Sequence, residues 1–392
     1  MECLQLLRDL IAIPSLNPMG RSVTGEMWYE SRLGQFLVDY FRRHNIASER
    51  HEVQPGRDNI LARLPGSPGA PTILLDAHQD TVPVDHMTIE PFRAEIHEGR
   101  LYGRGACDVK GAMAAMLTAL VRFAQDPLAT RATVVMACTV DEEFHEQGVL
   151  AILGKLKQAA ASADDLFHQP PTMAIVAEPT ELHVAVAHRG ATRWKIRTHG
   201  RAAHSSDPTQ GINAIYRMAR VVTLLQDYAA ALQAESIPHP LCGGATLSVG
   251  RIDGGTSVNI VPDCCTVEID RRVSPGEDGS QVIHDVDQFL RPRLEFAYES
   301  LPPWTVGVPL SDADNQPLAL QLLAASAGVI PGRQRIGVPF GTHAARYASA
   351  GIPSVVCGPG SIAQAHTADE WIAVEQVEQA AEVYYRFLRS VA

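Results

Sequence analysis

Four short apolar runs constrain this chain most: Thr72-Ile73-Leu74-Leu75, Thr133-Val134-Val135-Met136-Ala137, Thr172-Met173-Ala174-Ile175-Val176 and Pro353-Ser354-Val355-Val356-Cys357. They lack the polar alternation of a half-exposed strand, and helical patterns lie between them. Such runs predict strands buried on both faces, in a parallel or mixed sheet covered by helices. Gly111 to Phe123 reads as one of those helices, with Met113, Met116, Leu117 and Leu120 as its core-facing stripe.

The texture changes after Gly190. Arg193-Trp194-Lys195-Ile196-Arg197 alternates polar and apolar, as a half-exposed strand should. A helix is expected from about Gly211 to Tyr228, then strands over Ala245 to Ile252 and Thr266 to Arg271. A second helix follows near Asp278 to Leu290, and an extended stretch near Phe296 to Glu299. The order β-α-β-β-α-β is the split βαβ arrangement of ferredoxin-like domains. A chain of 392 residues is long for one core, so two domains are expected. The pattern makes residues 1–187 and 304–392 one discontinuous α/β domain, with 188–303 inserted into it. Gln158 to Pro171 reads as a solvated helix end and loop.

A hydrophobic content of 46% with 20% charged residues fits a globular chain rather than a disordered one. The net charge of -11 argues against nucleic acid as a partner, because phosphate binding needs a basic face. The N-terminus has helical spacing at Leu4, Leu7, Leu10 and Ile11 rather than the layout of a signal peptide, and no apolar segment is long enough to cross a bilayer. Seven cysteines, an odd number without a C-x-x-C, read as reduced and mostly buried. These features point to a cytoplasmic protein.

Polar clusters follow the apolar runs. The strand at 72–75 leads into His78 and Asp80, and that at 133–140 into Glu142 and Glu143. The strand at 172–177 leads into Glu178, and that at 353–357, through a Gly-Pro-Gly turn, toward His366. Asp108 follows a glycine-rich turn, Gly103-Arg104-Gly105. Ligands of open α/β sheets bind beyond the carboxyl ends of the strands, so these clusters can converge. Two imidazoles and several carboxylates suit a pair of zinc-like divalent ions, with one carboxylate bridging ions about 3.5–4 Å apart. Asp80, two residues after His78, is placed to take the imidazole's second N–H on its carboxylate. Adjacent side chains diverge, so one of Glu142 and Glu143 can ligate metal while the other acts as general base.

These residues resemble the M20 metallopeptidases and amidohydrolases over nearly the whole chain. The matching stretches include Ala77-His78-Gln79-Asp80-Thr81-Val82-Pro83, Gly103-Arg104-Gly105-Ala106-Cys107-Asp108 and Asp141-Glu142-Glu143. Others are Ala177-Glu178-Pro179-Thr180, Ala203-His204-Ser205, Asn259-Ile260-Val261-Pro262, Asp270-Arg271-Arg272 and Ala365-His366-Thr367. The resemblance implies a discontinuous zinc-hydrolase domain with a mixed, mainly parallel sheet between helices. It makes the inserted ferredoxin-like α+β domain a lid and dimerisation domain. By the same resemblance, Asp108 bridges two metal ions, His78 and Glu178 complete one site, and Glu143 and His366 the other. Glu142 is then the general base and Asp80 the partner of His78. His204 would reach the partner subunit's site and stabilise the oxyanion, and Asn259 and Arg272 would hold the substrate carboxylate, with Arg271 a competitor for that role. Zinc is the expected metal, with cobalt or manganese compatible.

The stretch from Glu178-Pro179-Thr180-Glu181-Leu182 to His188-Arg189-Gly190 is most similar to the acetylornithine deacetylase and succinyl-diaminopimelate desuccinylase branch. The resulting reading is hydrolysis of an amide bond in an N-acyl amino acid by a homodimer, with metal-bound hydroxide as nucleophile. A metallo-carboxypeptidase or dipeptidase acting on short peptides is the alternative within the family, and a non-catalytic metal-stabilised binding protein the alternative of another class. The sequence departs from the family at Ala77, commonly glycine, and at His343 in Gly341-Thr342-His343-Ala344, where many relatives carry an acidic residue. It also lacks the tryptophan often seen after Pro83. Whether His343 meets the substrate or stands in solvent is open at this level.

Overall fold

A computed structural model describes residues 2–127, 132–158 and 170–391. Residues 159–169 of the expected 158–171 loop thus lie outside the described residues. The chain forms two compact units. The first is Met1–Val186 with Asp312–Ile336 and Thr342–Ala392, and the second is Ala187–Ser311 with Gly337–Gly341.

In chain order the strands are β1 (Ala47–Gln54), β2 (Arg57–Leu64), β3 (Thr72–His78), β4 (Glu95–His97), β5 (Arg100–Tyr102), β6 (Thr133–Thr139), β7 (Met173–Val176) and β8 (Val184–His188). They continue as β9 (Gly190–His199), β10 (Thr246–Gly254), β11 (Cys264–Val273), β12 (Tyr298–Ser300), β13 (Arg335–Val338), β14 (Ser354–Val356) and β15 (Trp371–Ala373). The helices are α1 (Glu2–Ile11), α2 (Ser31–Arg43), α3 (Gly111–Gln125), α4 (Gln147–Gln158), α5 (Ala214–Glu235), α6 (Val282–Leu290), α7 (Gln316–Ala327), α8 (His343–Ser349) and α9 (Val374–Ser390).

The main sheet has the order β1-β2-β6-β3-β7-β14-β8-β13. Its centre, β6, β3, β7 and β14, is parallel, whereas β1, β2 and β6 pair antiparallel, as do β14 and β8. Every residue of β3 and β6 is buried, as strands covered on both faces require. The four apolar runs are these four central strands. Because they are parallel, His78, Thr139, Val176 and Val356 end on the same edge of the sheet.

Helix α3 packs against α1, α9 and the sheet. It is buried continuously from Gly111 to Val121, beyond the one-sided stripe expected from its sequence. Neighbours on several sides account for this, and Ala112, Ala114, Ala115 and Ala119 leave room for them to approach.

The second unit follows β9-α5-β10-β11-α6-β12, with sheet order β10-β11-β9-β12 and antiparallel pairing throughout. Strand β9 alternates as read from sequence: Trp194 and Ile196 enter a core with Met218, Val221, Val267 and Val286, while Arg193, Lys195 and Arg197 are half-buried. Six of the seven cysteines are buried and Cys264 is half-buried, with no disulfide among the described residues. No helix among the described residues is long and apolar enough to cross a membrane.

Candidate metal centre

The shared edge of β6, β3, β7 and β14 brings the polar clusters of the first unit together. His78 is the last residue of β3, and its Nε2 lies 3.0 Å from Asp108 Oδ1 and 4.0 Å from Glu178 Oε1. His366 Nε2 lies 3.3 Å from Asp108 Oδ2 and 3.1 Å from Glu143 Oε2. Asp108 therefore stands between two imidazoles, one on each oxygen. Glu142 joins as well: His78, Glu142 and Glu178 place ligand atoms within 4.8 Å of one another, as do His78, Asp108 and Glu143.

The Asp108 loop and the Glu142-Glu143 turn are held in part by groups the motifs did not reveal. The Asp108 loop hangs on Glu370, which is fully buried. Glu370 Oε1 accepts the backbone N–H groups of Cys107 at 2.8 Å and Asp108 at 3.0 Å. Its Oε2 accepts Gly105 N–H at 3.1 Å and Arg104 Nη1 at 2.6 Å. Gly105 has φ +82° at this turn, and a Cβ there would come within 2.8 Å of Thr81 Cγ2. On the β14 side, Gly358 lets the loop pass the backbone of Glu178, since a Cβ would meet the Glu178 carbonyl oxygen at 2.6 Å.

Asp80 meets His78 through its backbone rather than, as expected, by a hydrogen bond to its carboxylate. The His78 Nδ1–H donates to the Asp80 backbone carbonyl at 2.8 Å, while the nearer carboxylate oxygen is 3.7 Å away. The carboxylate is occupied elsewhere: it accepts the N–H groups of Glu142 and Glu143, both at 3.1 Å, and Asn17 Nδ2 at 2.8 Å. Its structural task is to orient the Glu142-Glu143 turn. Asn17 also donates to Asp141 Oδ1 at 3.0 Å, and Asp141 receives Arg57 Nη1 at 2.9 Å. Arg57 in turn forks onto the buried carboxylate of Glu30. Asn17, Glu30, Arg57 and Glu370 escaped the sequence reading because isolated polar residues carry no periodic signal. Only the fold shows that they are buried.

The donor set fits divalent cations. Four carboxylates and two imidazoles crowd together, and Glu143 Oε1 is buried without a hydrogen-bond partner among the described residues. Burial pushes the Glu142 carboxyl up to about 8, with Glu143 and Asp108 adding repulsion and His78 and His343 opposing it. Burial and then Asp108 likewise raise Glu143 and Glu178. Burial also works against the charge of Asp108, but hydrogen bonds from His366 and His78 outweigh it and hold Asp108 below the usual carboxylate range. Asp108 and Glu143 push His366 up to about 11. Burial lowers His78, yet its bond to Asp108 and the nearby Glu142 and Glu178 carry it well above its ordinary value. Without metal, the two imidazoles and the Asp108 carboxylate between them favour each other's charged forms. Divalent ions offer the same compensation at the same donor atoms.

The remaining sequence-selected residues lie in the second unit. His204 is exposed, and its Nδ1 accepts the backbone N–H of Ser206 at 3.2 Å, which places its ring proton on Nε2 when the imidazole is neutral. Asn259 is exposed, with its Oδ1 accepting Ser257 Oγ at 2.6 Å. Arg272 Nε pairs with Asp270 at 2.8 Å, whereas its competitor Arg271 is buried and forks onto Glu277. His343 belongs to the first unit and is 1% exposed, which settles that it does not stand in solvent.

Taken as a whole, the chain belongs to peptidase family M20/M25/M40, whose family model matches residues 74–390. It is a metal-dependent amidohydrolase of that family. An acetylornithine deacetylase of Proteus mirabilis is 30% identical, with 97% of this chain and 94% of that protein covered. One from Yersinia pseudotuberculosis is 31% identical at 97% and 95% coverage. Among solved structures, an M20 metallo-carboxypeptidase of Sulfolobus solfataricus superposes with a TM-score of 0.79 at 17% identity, covering 99% of each chain. A dinuclear metal binding peptidase of Bacillus subtilis from the M20 family does so with 0.67 at 18% identity, covering 99% of this chain and 96% of that one. At these identities the two structures speak for the fold.

Proposed function

We propose that this enzyme hydrolyses the amide bond of an N-acyl amino acid, in the manner of a deacetylase or desuccinylase, and uses two divalent ions, most fittingly zinc. The observation that carries the reading is Asp108 placed between His78 and His366, one imidazole on each carboxylate oxygen. Glu178 stands on the His78 side and Glu143 on the His366 side. In this reading Asp108 is the shared ligand, His78 and Glu178 hold one ion, and Glu143 and His366 the other. The bound ions would polarise the amide carbonyl and lower the pKa of an attacking water.

Glu142 is the general base. Its carboxyl is raised by burial toward neutrality, the range that suits a group that takes a proton and gives it back. It accepts the proton of the attacking water and returns it to the leaving amine. Asp80 fixes the turn that carries it. His204 of a second copy supplies an Nε2–H donor to the developing oxyanion, and Asn259 and Arg272 bind the substrate carboxylate. The second unit is accordingly the lid and dimerisation domain, and the enzyme works as a cytoplasmic homodimer. Likeness to acetylornithine deacetylases over 97% of the chain supports an acyl amino acid as substrate.

A panel of N-acetyl and N-succinyl amino acids and dipeptides, assayed with added zinc, cobalt or manganese, tests the reading. Acyl amino acids should turn over faster. A dipeptide preference would replace the reading by the peptidase one, and no turnover at all would leave a binding protein.

A further inference from the structure

The segment that follows α1 runs beside the metal centre, and one of its side chains joins two carboxylates there. Ser15 Oγ donates to the Gln79 carbonyl at 2.7 Å. The Thr81 N–H donates to the Ser15 carbonyl at 3.0 Å, and the Asn17 N–H to the Thr81 carbonyl at 2.8 Å. Residues 15–17 therefore lie alongside 79–81, just past the end of β3. That places the side chain of Asn17, which is fully buried, against Asp80.

The Asn17 amide has one direction that satisfies its neighbours. Its Oδ1 accepts the Met19 N–H at 3.0 Å, so Nδ2 is the atom that meets the carboxylates. Nδ2 donates to Asp80 Oδ2 at 2.8 Å and to Asp141 Oδ1 at 3.0 Å, and both acceptors are buried. These two side chains flank the Glu142-Glu143 turn. Asp80 Oδ1 takes the Glu142 N–H and Oδ2 the Glu143 N–H, each at 3.1 Å. Asp141 enters the turn with φ 62°, in the left-handed region that residues other than glycine hold only with support from their surroundings. Arg57 Nη1 braces the same Oδ1 at 2.9 Å, and the Asp141 carbonyl accepts the Glu146 N–H at 2.7 Å. Asn17 bonds to both carboxylates at once. Without its amide, two buried carboxylates would each lose a donor at the point where they hold the turn.

We propose that Asn17 is a positioning residue for the Glu142-Glu143 turn: its amide nitrogen bridges Asp80 and Asp141 and so holds the backbone from which the two glutamates project. The proposal rests on the reading of Glu142 as general base and Glu143 as ligand. A residue that merely tied down the segment after α1 would need no side-chain donor. The backbone bonds of Asn17 and Thr81 and the Ser15 hydroxyl already do that. A bridge between two carboxylates needs a donor with two protons, which the amide supplies.

The test uses the full-length enzyme at saturating zinc. Asn17→Ala should lower kcat on the order of 100-fold, the scale of a misplaced catalytic group, with KM within about threefold. Hydrogen exchange, followed without substrate, should become about tenfold faster at the Glu142 and Glu143 amides, while β3 and β6 keep their protection. Ser15→Ala is the control. It loosens the same segment but leaves the bridge, so its kcat and its Glu142 and Glu143 exchange should match the parent's. Asn17→Ser, which keeps one hydroxyl donor, should fall between the parent and Asn17→Ala. A kcat within about threefold of the parent in Asn17→Ala, unchanged exchange at Glu142 and Glu143, or equal losses in Ser15→Ala overturns the proposal. If Asn17→Ala fails to fold, Asn17→Ser decides by the same two measurements. A parent enzyme inactive on every acyl amino acid and dipeptide would defeat the functional reading alone, and the exchange comparison would then decide this one.

Discussion

Replacing Glu370 by alanine should be among the most damaging single changes outside the metal ligands. The residue touches no proposed ligand side chain. Its carboxylate carries a buried ion pair to Arg104, whose side chain is 4% exposed, and the backbone N–H groups of Gly105, Cys107 and Asp108. Breaking a buried pair by removing one partner costs about 3–5 kcal/mol, because the other charge is left without compensation. The three amides then need water, or they add to the loss. At roughly 2–4 °C per kcal/mol for a domain of this size, the melting midpoint should fall on the order of 10 °C. The assay is thermal unfolding of chelator-treated protein at neutral pH, run beside Arg104→Met and the double variant. Because one interaction is shared, the two single losses should exceed the loss in the double variant. Since Glu370 sets the backbone from which Asp108 projects, metal affinity should also fall about 10- to 100-fold, read by metal content after dialysis. A Glu370→Ala protein that melts within about 2 °C of the parent and keeps its metal would refute the argument.

Glu142→Ala should retain metal and lose at least about 100-fold in kcat, and full turnover in that variant would sink the mechanism. Chelation should abolish activity, with zinc, cobalt or manganese restoring it; activity that survives exhaustive chelation contradicts the proposed centre. Mixing His204→Ala subunits with Glu142→Ala subunits should produce active hybrid dimers, and purely additive behaviour would remove the cross-subunit role. Burial pushes Lys110 down to about 7, with its Nζ donating to the Leu10 and Ile13 carbonyls. An unfolded lysine holds its proton to about 10.4, so between about 7 and 10 the unfolded chain binds more protons and stability rises with pH, by a few kcal/mol. Lys110→Met should flatten that rise in urea-unfolding midpoints, and an unchanged slope would show that Lys110 stays charged in the fold.

The sequence alone determined the sheet and the place of the candidate metal centre. Runs such as Thr72 to Leu75 and Thr133 to Ala137 carry their burial in composition, because a strand covered on both faces takes mostly apolar side chains. The ends of those runs named His78, Glu142, Glu143, Glu178 and His366 without coordinates. The alternation of Arg193 to Arg197 likewise announced a strand with one covered face. Tertiary structure decided what no local pattern holds. It showed the Asp80 carboxylate hydrogen-bonded to two backbone amides of the Glu142-Glu143 turn and to Asn17, with the His78 imidazole bonded to the Asp80 backbone carbonyl instead. It showed that Glu370, 262 residues away in sequence, carries Asp108. It also buried His343 against Asp76, from the opposite end of the first unit's sequence. Periodicity reports only neighbours along the chain. A buried polar group is defined by partners across it, and those become visible only once the strands are laid side by side.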